Sequence, residues 1–131
     1  MSGIIKGNTH TDDRGIVRFV NEFDMKNVVR MYAIEPEPGV IRAWQGHQIE
    51  TKWFFAAKGS FLVKTINIEN PALITTVTLS DQESQILHIT AGHYNGFEAL
   101  EKGSVLMVYS DATLEGSMAD DHRKTINDIP W

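Results

Sequence analysis

Between positions 42 and 52 the chain reads RAWQGHQIETK, which places a guanidinium, an amide, an imidazole and an ammonium within one short span. In an extended strand alternate residues share a face, so Gln45 and His47 would look into one interior. His47 is the group of this set that can exchange a proton near neutral pH. Arg42 and Lys52 suit an anionic or electron-rich partner, since a buried cation without one is costly. Together they fit proton transfer by the imidazole, or the binding of a small anion.

The rest of the chain must hold these side chains in place, and its punctuation predicts strands. Short runs rich in β-branched and aromatic residues fall at 16–20, 28–34, 40–44, 51–57, 60–68, 73–79, 85–90, 94–99 and 104–109. Asp12-Asp13-Arg14-Gly15, Glu35-Pro36-Glu37-Pro38-Gly39, Lys58-Gly59, Asn70-Pro71 and Ala91-Gly92 separate them as turns. Ser80-Asp81-Gln82-Glu83 has the form of a cap on a single helical turn. No segment sustains a helical period, so the expectation is one all-β domain over 1–131, about ten short strands closed into a barrel-like double sheet.

Composition narrows the function. Seventeen acidic against twelve basic side chains give a net charge of −5, which disfavours a broad nucleic-acid surface. The absence of cysteine excludes disulfides, thiolate metal sites and thiol nucleophiles. No apolar run is long enough to span a bilayer and the first residues lack a signal-peptide core, so a soluble cytoplasmic protein without a membrane partner is expected.

The spacing around the opening stretch resembles the first motif of the cupin family, G-x5-H-x-H-x3,4-E-x6-G, as Gly39-x5-Gln45-x-His47-x4-Lys52-x6-Gly59. The second motif is echoed by Thr90-x-Gly92-x2-Asn95. The resemblance implies a jelly-roll β-sandwich in which these positions would hold a metal. Here they carry two amides, one imidazole and an ammonium, and a protonated lysine repels a cation. Neither a metal nor any other cofactor is expected.

Two metal-independent groups of cupins, both acting on dTDP-linked 4-keto-6-deoxy sugars, look similar. The 3,5-epimerases are matched by Asp12-Asp13-Arg14-Gly15 with Phe19, by Arg42 to Gln45, by Lys52-Trp53-Phe54 before Gly59, and by Gly92-His93-Tyr94-Asn95-Gly96-Phe97. The 3,4-ketoisomerases are matched by Arg30-Met31-Tyr32 and by Arg42 to His47. The resemblance implies His47, Lys52 and Arg42 as catalytic residues, with Arg14, Arg30, Tyr32, Gln45 and Asn95 binding a nucleotide sugar, in a homodimer. The chain departs from the epimerase pattern where Gln45 replaces the base histidine, where Asn95 replaces a second histidine, and where the acid tyrosine is missing from 110–115. The expected function is a sugar-nucleotide isomerase or epimerase with altered catalytic residues. The alternative is a non-catalytic cupin that binds a nucleotide sugar or a related small anion.

Overall fold

The computed structural model describes residues 3–131, which form two packed five-stranded antiparallel sheets and one short hairpin. The strands are β1 (Gly3–Lys6), β2 (Asn8–Asp12), β3 (Gly15–Phe19), β4 (Arg30–Ile34), β5 (Arg42–His47), β6 (Lys52–Lys58), β7 (Ser60–Asn67), β8 (Ile74–Ser80), β9 (Gln85–Ile89), β10 (His93–Ala99), β11 (Val105–Ser110) and β12 (His122–Arg123). One sheet has the order β1-β9-β6-β11-β4 and the other β12-β5-β10-β7-β8; β2 and β3 pair separately. The expected all-β double sheet is present. The arrangement is a jelly-roll β-sandwich.

Period-2 patterning built the sandwich. Along β7 and β11 alternate residues are buried, and Phe61, Val63, Leu106 and Val108 are fully enclosed. They join Phe54, Ala56, Leu79, Leu87, Ile89, Phe97 and Ala99 in one core, where Phe97 meets Phe54 and Phe61 edge to face. Gly59 turns β6 into β7 with φ 74°, and a Cβ there would lie 2.1 Å from the Ser104 hydroxyl. Only glycine meets both demands.

The differences from the expected elements have physical causes. The β2 segment NTHTD has no apolar alternation, and β12 is a two-residue edge, so neither carried a strand signal. The strand expected at 40–44 instead runs from Arg42 to His47, with Gly46 in its interior because a Cβ there would meet the Tyr94 ring at 2.5 Å. The segment at 80–83 is a turn rather than a helical one. The helix instead lies at Leu114–Ala119 (α1), capped by Thr113, whose hydroxyl accepts from the Gly116 amide.

Candidate functional site

The inward residues of the first sheet form rows across the strands. Ser110 pairs in register with Arg30 and Lys52, Val108 with Tyr32 and Phe54, and Leu106 with Ile34 and Ala56. The rows therefore pass from charged, through aromatic, to aliphatic along the sandwich. Leu106 and Ala56 belong to the core, while Tyr32, Phe54 and Lys52 line a cavity of about 580 Å³. From the second sheet, Gln45 and Asn95, partners across β5 and β10, face the same space. Arg42, Arg123, Lys124 and Thr125 stand at the cavity's edge.

Lys52 is the most confined cation of this set, at 3% exposure. Its Nζ donates to Gln45 Oε1 at 3.3 Å and lies 5.9 Å from the centre of the Tyr32 ring. It takes part in no ion pair among the described residues. Burial pushes its pKa down to about 8, against the opposing charge of Glu50. Gln45 is held in turn by Asp121, which accepts from its amide at 3.3 Å and from Arg123 Nε at 2.8 Å. The Tyr32 phenol is pushed above its ordinary pKa by burial, with Arg30 opposing.

The C-terminal segment makes one wall. Lys124 exchanges backbone hydrogen bonds with Trp44, and Trp44 Nε1 donates to the Ile129 carbonyl at 2.7 Å. Trp131 packs on Trp44 at 5.3 Å, beneath the Lys64 ammonium. These contacts hold Arg123, Lys124 and Thr125 beside the cavity.

A second group of polar side chains is buried next to Lys52. Glu50, at 2% exposure, accepts from Arg30 Nη2 at 3.1 Å and from the Ser110 hydroxyl. Burial alone would raise its pKa, but the Ser110 and Ser117 hydroxyls, Lys52 and His47 together hold it below the usual value. Asp120, which caps α1, accepts the backbone amides of Gln48, Ile49 and Glu50. His47 donates from Nδ1 to the Asp120 carbonyl at 2.7 Å, which leaves the lone pair on Nε2 without a partner. Burial, then the charge of Lys52, lowers its pKa and keeps the ring neutral.

Of the residues singled out by sequence, the cavity gathers Arg42, Lys52, Tyr32, Gln45 and Asn95. His47 is not among the lining residues; it lies 2% exposed beside Glu50. Arg30 is engaged by Glu50 and lies 5.0 Å from the Tyr32 ring centre. Arg14 lies outside the cavity on the exposed β2–β3 turn, paired with Asp12 at 2.5 Å. Sequence reasoning gave Glu50 no role and read Asp120 to Lys124 as a solvated surface segment, near where the resemblance places an aspartate that orients the histidine. Glu50 had a legible signal, a carboxylate between two inward-facing charged or polar positions. The cations at 123–124 had none, because a polar tail looks the same whether it is free or strapped to an edge strand.

The donor set does not fit a metal: the four motif positions hold Gln45, His47, Lys52 and Asn95, and amides and an ammonium are poor partners for a transition ion. No group of three or more histidines and carboxylates suited to an ion occurs among the described residues.

No family model matches the sequence, and no curated relative does. Solved structures do match in shape. The dTDP-4-dehydrorhamnose 3,5-epimerase of Sulfolobus tokodaii is 21% identical over 99% of this chain and 80% of that one, with a TM-score of 0.81. ChmJ, a 3'-monoepimerase from Streptomyces bikiniensis in complex with dTDP-quinovose, is 16% identical over 99% and 74%, with a TM-score of 0.83. QdtA, a sugar 3,4-ketoisomerase from Thermoanaerobacterium thermosaccharolyticum in complex with TDP, is 19% identical over 98% and 91%, with a TM-score of 0.77. The chain has the cupin fold in the form that these dTDP-sugar epimerases and 3,4-ketoisomerases share.

Proposed function

We propose that the cavity binds a dTDP-linked 4-keto-6-deoxy sugar and that the protein is a metal-independent isomerase or epimerase with altered catalytic residues. The observation that carries this reading is electrostatic. Arg42, Lys52, Arg123 and Lys124 line the cavity and, among the described residues, no carboxylate does, in a chain whose net charge is −5. Such an arrangement favours an anion, and a diphosphate at the mouth would complement Arg42. Lys52 is placed deeper, where a keto oxygen could meet it, with Gln45, Asn95 and Tyr32 orienting the sugar. His47 is the proton acceptor in this reading, since its Nε2 carries a free lone pair. Arg30 supports the site through Glu50 and Tyr32.

The second reading, a non-catalytic nucleotide-sugar binder, is favoured by one observation: His47 does not line the cavity, and Gln45 and Asn95 cannot accept protons. One pair of measurements separates the two. A dTDP-sugar at 100 times its dissociation constant should stabilise the fold by about 2.7 kcal/mol, and Arg42→Ala and Lys52→Ala should lose that gain. Deuterium exchange into dTDP-4-keto-6-deoxyglucose, lost in His47→Asn, would support catalysis. Binding without exchange would support the second reading, and no thermal shift with any nucleotide sugar would sink both.

A homodimer in the cytoplasm completes the proposal. Its support is the outer face of the β1-β9-β6-β11-β4 sheet, where Met31 is 61% exposed, and the β2–β3 hairpin, where Ile16 and Val17 are 67% and 59% exposed. Among the described residues no helix is long and apolar enough to cross a membrane. Arg14 lies outside its own chain's cavity, so any phosphate contact it makes would be to a second copy. Light scattering after size exclusion should give the dimer mass, and Met31→Glu should shift it toward the monomer. A monomeric parent protein at high concentration would exclude the dimer.

A further inference from the structure

We propose that the Lys52 ε-amine is a nucleophile that condenses with the keto carbon of the bound sugar to form a Schiff base. The inference rests on the reading above for the identity of the sugar, and on the surroundings of Lys52 for the chemistry. A protonated lysine offers three N–H donors, yet among the described residues Nζ has one hydrogen-bond partner, the neutral carboxamide of Gln45 at 3.3 Å. The Tyr32 ring lies beside it, Phe54 and Phe97 line the same cavity, and the nearby Glu50 carboxylate forms no ion pair with it among the described residues. An amine desolvated against aromatic surface gives up its proton readily, and its free lone pair attacks carbonyl carbon. Its pKa of about 8 agrees with this placement.

The position also explains what replaces the missing groups. The cavity-lining amides Gln45 and Asn95 cannot abstract a proton but can hydrogen-bond an oxygen. A ketone therefore needs activation from another source, and Lys52 is the deeply buried amine of the cavity. The amine nitrogen bonds to the carbonyl carbon, the carbonyl π pair moves to oxygen, and that oxygen takes a proton to give a carbinolamine. Loss of the hydroxyl with a proton as water leaves the C=N bond, so amine plus ketone yields imine plus water with no redox change. The protonated imine withdraws electrons from the neighbouring C–H more strongly than the ketone does, which eases proton transfer at the adjacent carbon. Glu50, whose charge opposes loss of the Lys52 proton, acts as a positioning and tuning residue.

The test uses the intact protein with dTDP-4-keto-6-deoxyglucose and sodium cyanoborohydride, which reduces an imine to a stable secondary amine. Mass spectrometry should find one sugar-nucleotide adduct on the Lys52 peptide, with a yield lower by about tenfold or more at pH 6 than at pH 8. Excess dTDP, which has no ketone, should block it, and Lys52→Arg should not form it. Absence of the adduct in a sample whose melting temperature rises with the sugar nucleotide would overturn the Schiff base and leave the ligand reading intact. A second measurement is independent of that ligand: reductive methylation with formaldehyde at neutral pH should label Lys52 faster than the exposed Lys26 and Lys102. Fast methylation without any nucleotide-sugar binding would uphold the nucleophilic amine and reject the sugar nucleotide as its substrate. Labelling of Lys52 no faster than of surface lysines would overturn the proposal.

Discussion

Replacing Lys52 with methionine should make the protein more stable at neutral pH while abolishing its response to a sugar nucleotide. Lys52 is 3% exposed and has its pKa lowered from 10.5 to about 8, chiefly by desolvation. At 1.36 kcal/mol per unit, keeping Lys52 charged in the folded state costs roughly 3 kcal/mol. Methionine fills a similar volume without that charge, but leaves Gln45 Oε1 without its donor, a loss of about 1 kcal/mol. A net gain of roughly 2 kcal/mol is expected at neutral pH. The gain should shrink as the solution becomes basic. Between the folded value near 8 and the unfolded value of 10.5 the unfolded chain holds the Lys52 proton and the folded one does not, so the parent protein gains stability with pH in that window. Urea denaturation of both proteins at neutral pH and at about pH 10 checks this. A variant less stable than the parent at neutral pH would mean that the ammonium is well solvated in place. A stability penalty at a cavity-lining lysine is the usual mark of a residue kept for function rather than for folding.

The fold was legible because it depends on short-range patterning. Period-2 burial in β7 and β11, and turns at Gly15 and Gly59, can be read without knowing where any strand goes. The site was legible only where spacing and strand geometry act together. Gln45, Lys52 and Asn95 converge as expected because alternation aims Gln45 inward, β10 sets Asn95 opposite it, and Lys52 Nζ meets the Gln45 amide. His47 shows the limit of that logic. It follows the same alternation, yet its distance from the cavity is set by α1, whose end at Asp120 supplies the carbonyl that holds Nδ1. A six-residue helix with one buried residue has no amphipathic stripe to announce it. The strap at 124–131 is hidden for a similar reason, since its anchors are Trp44 and Trp131, far apart in the chain.

The most damaging single change should be Glu50→Ala, at a cost of about 3–5 kcal/mol. Glu50 is the buried anion that compensates Arg30 and moderates Lys52, and it also accepts the Ser110 hydroxyl. Its removal strands the Arg30 guanidinium and takes from the Lys52 ammonium its main opposing charge, leaving only the weaker influence of Asp121. Glu50→Gln keeps an oxygen acceptor of the same shape and should cost less, so the difference between the two variants separates the hydrogen bonds from the charge. The same cluster sets the acid limit of the fold. The carboxyl of Glu50 titrates below its ordinary 4.5 when folded, so its contribution is present above that value and is lost as pH falls through the folded pKa. His47 acts earlier. Its folded pKa lies below 6.5, so on acidification the unfolded chain takes up that proton first and stability begins to fall below 6.5. His88, lowered by burial as well, titrates in the same direction, so His47→Asn should flatten this first decline only in part. Because the His47 charge helps hold the Glu50 carboxyl low, the same variant should move the Glu50 step toward higher pH. Urea midpoints measured from neutral pH down to about pH 4 resolve the two steps. A Glu50→Ala protein that loses less than about 1 kcal/mol would show that water compensates Arg30 and Lys52 in its place, and the buried cluster would not be what holds this end of the sandwich together.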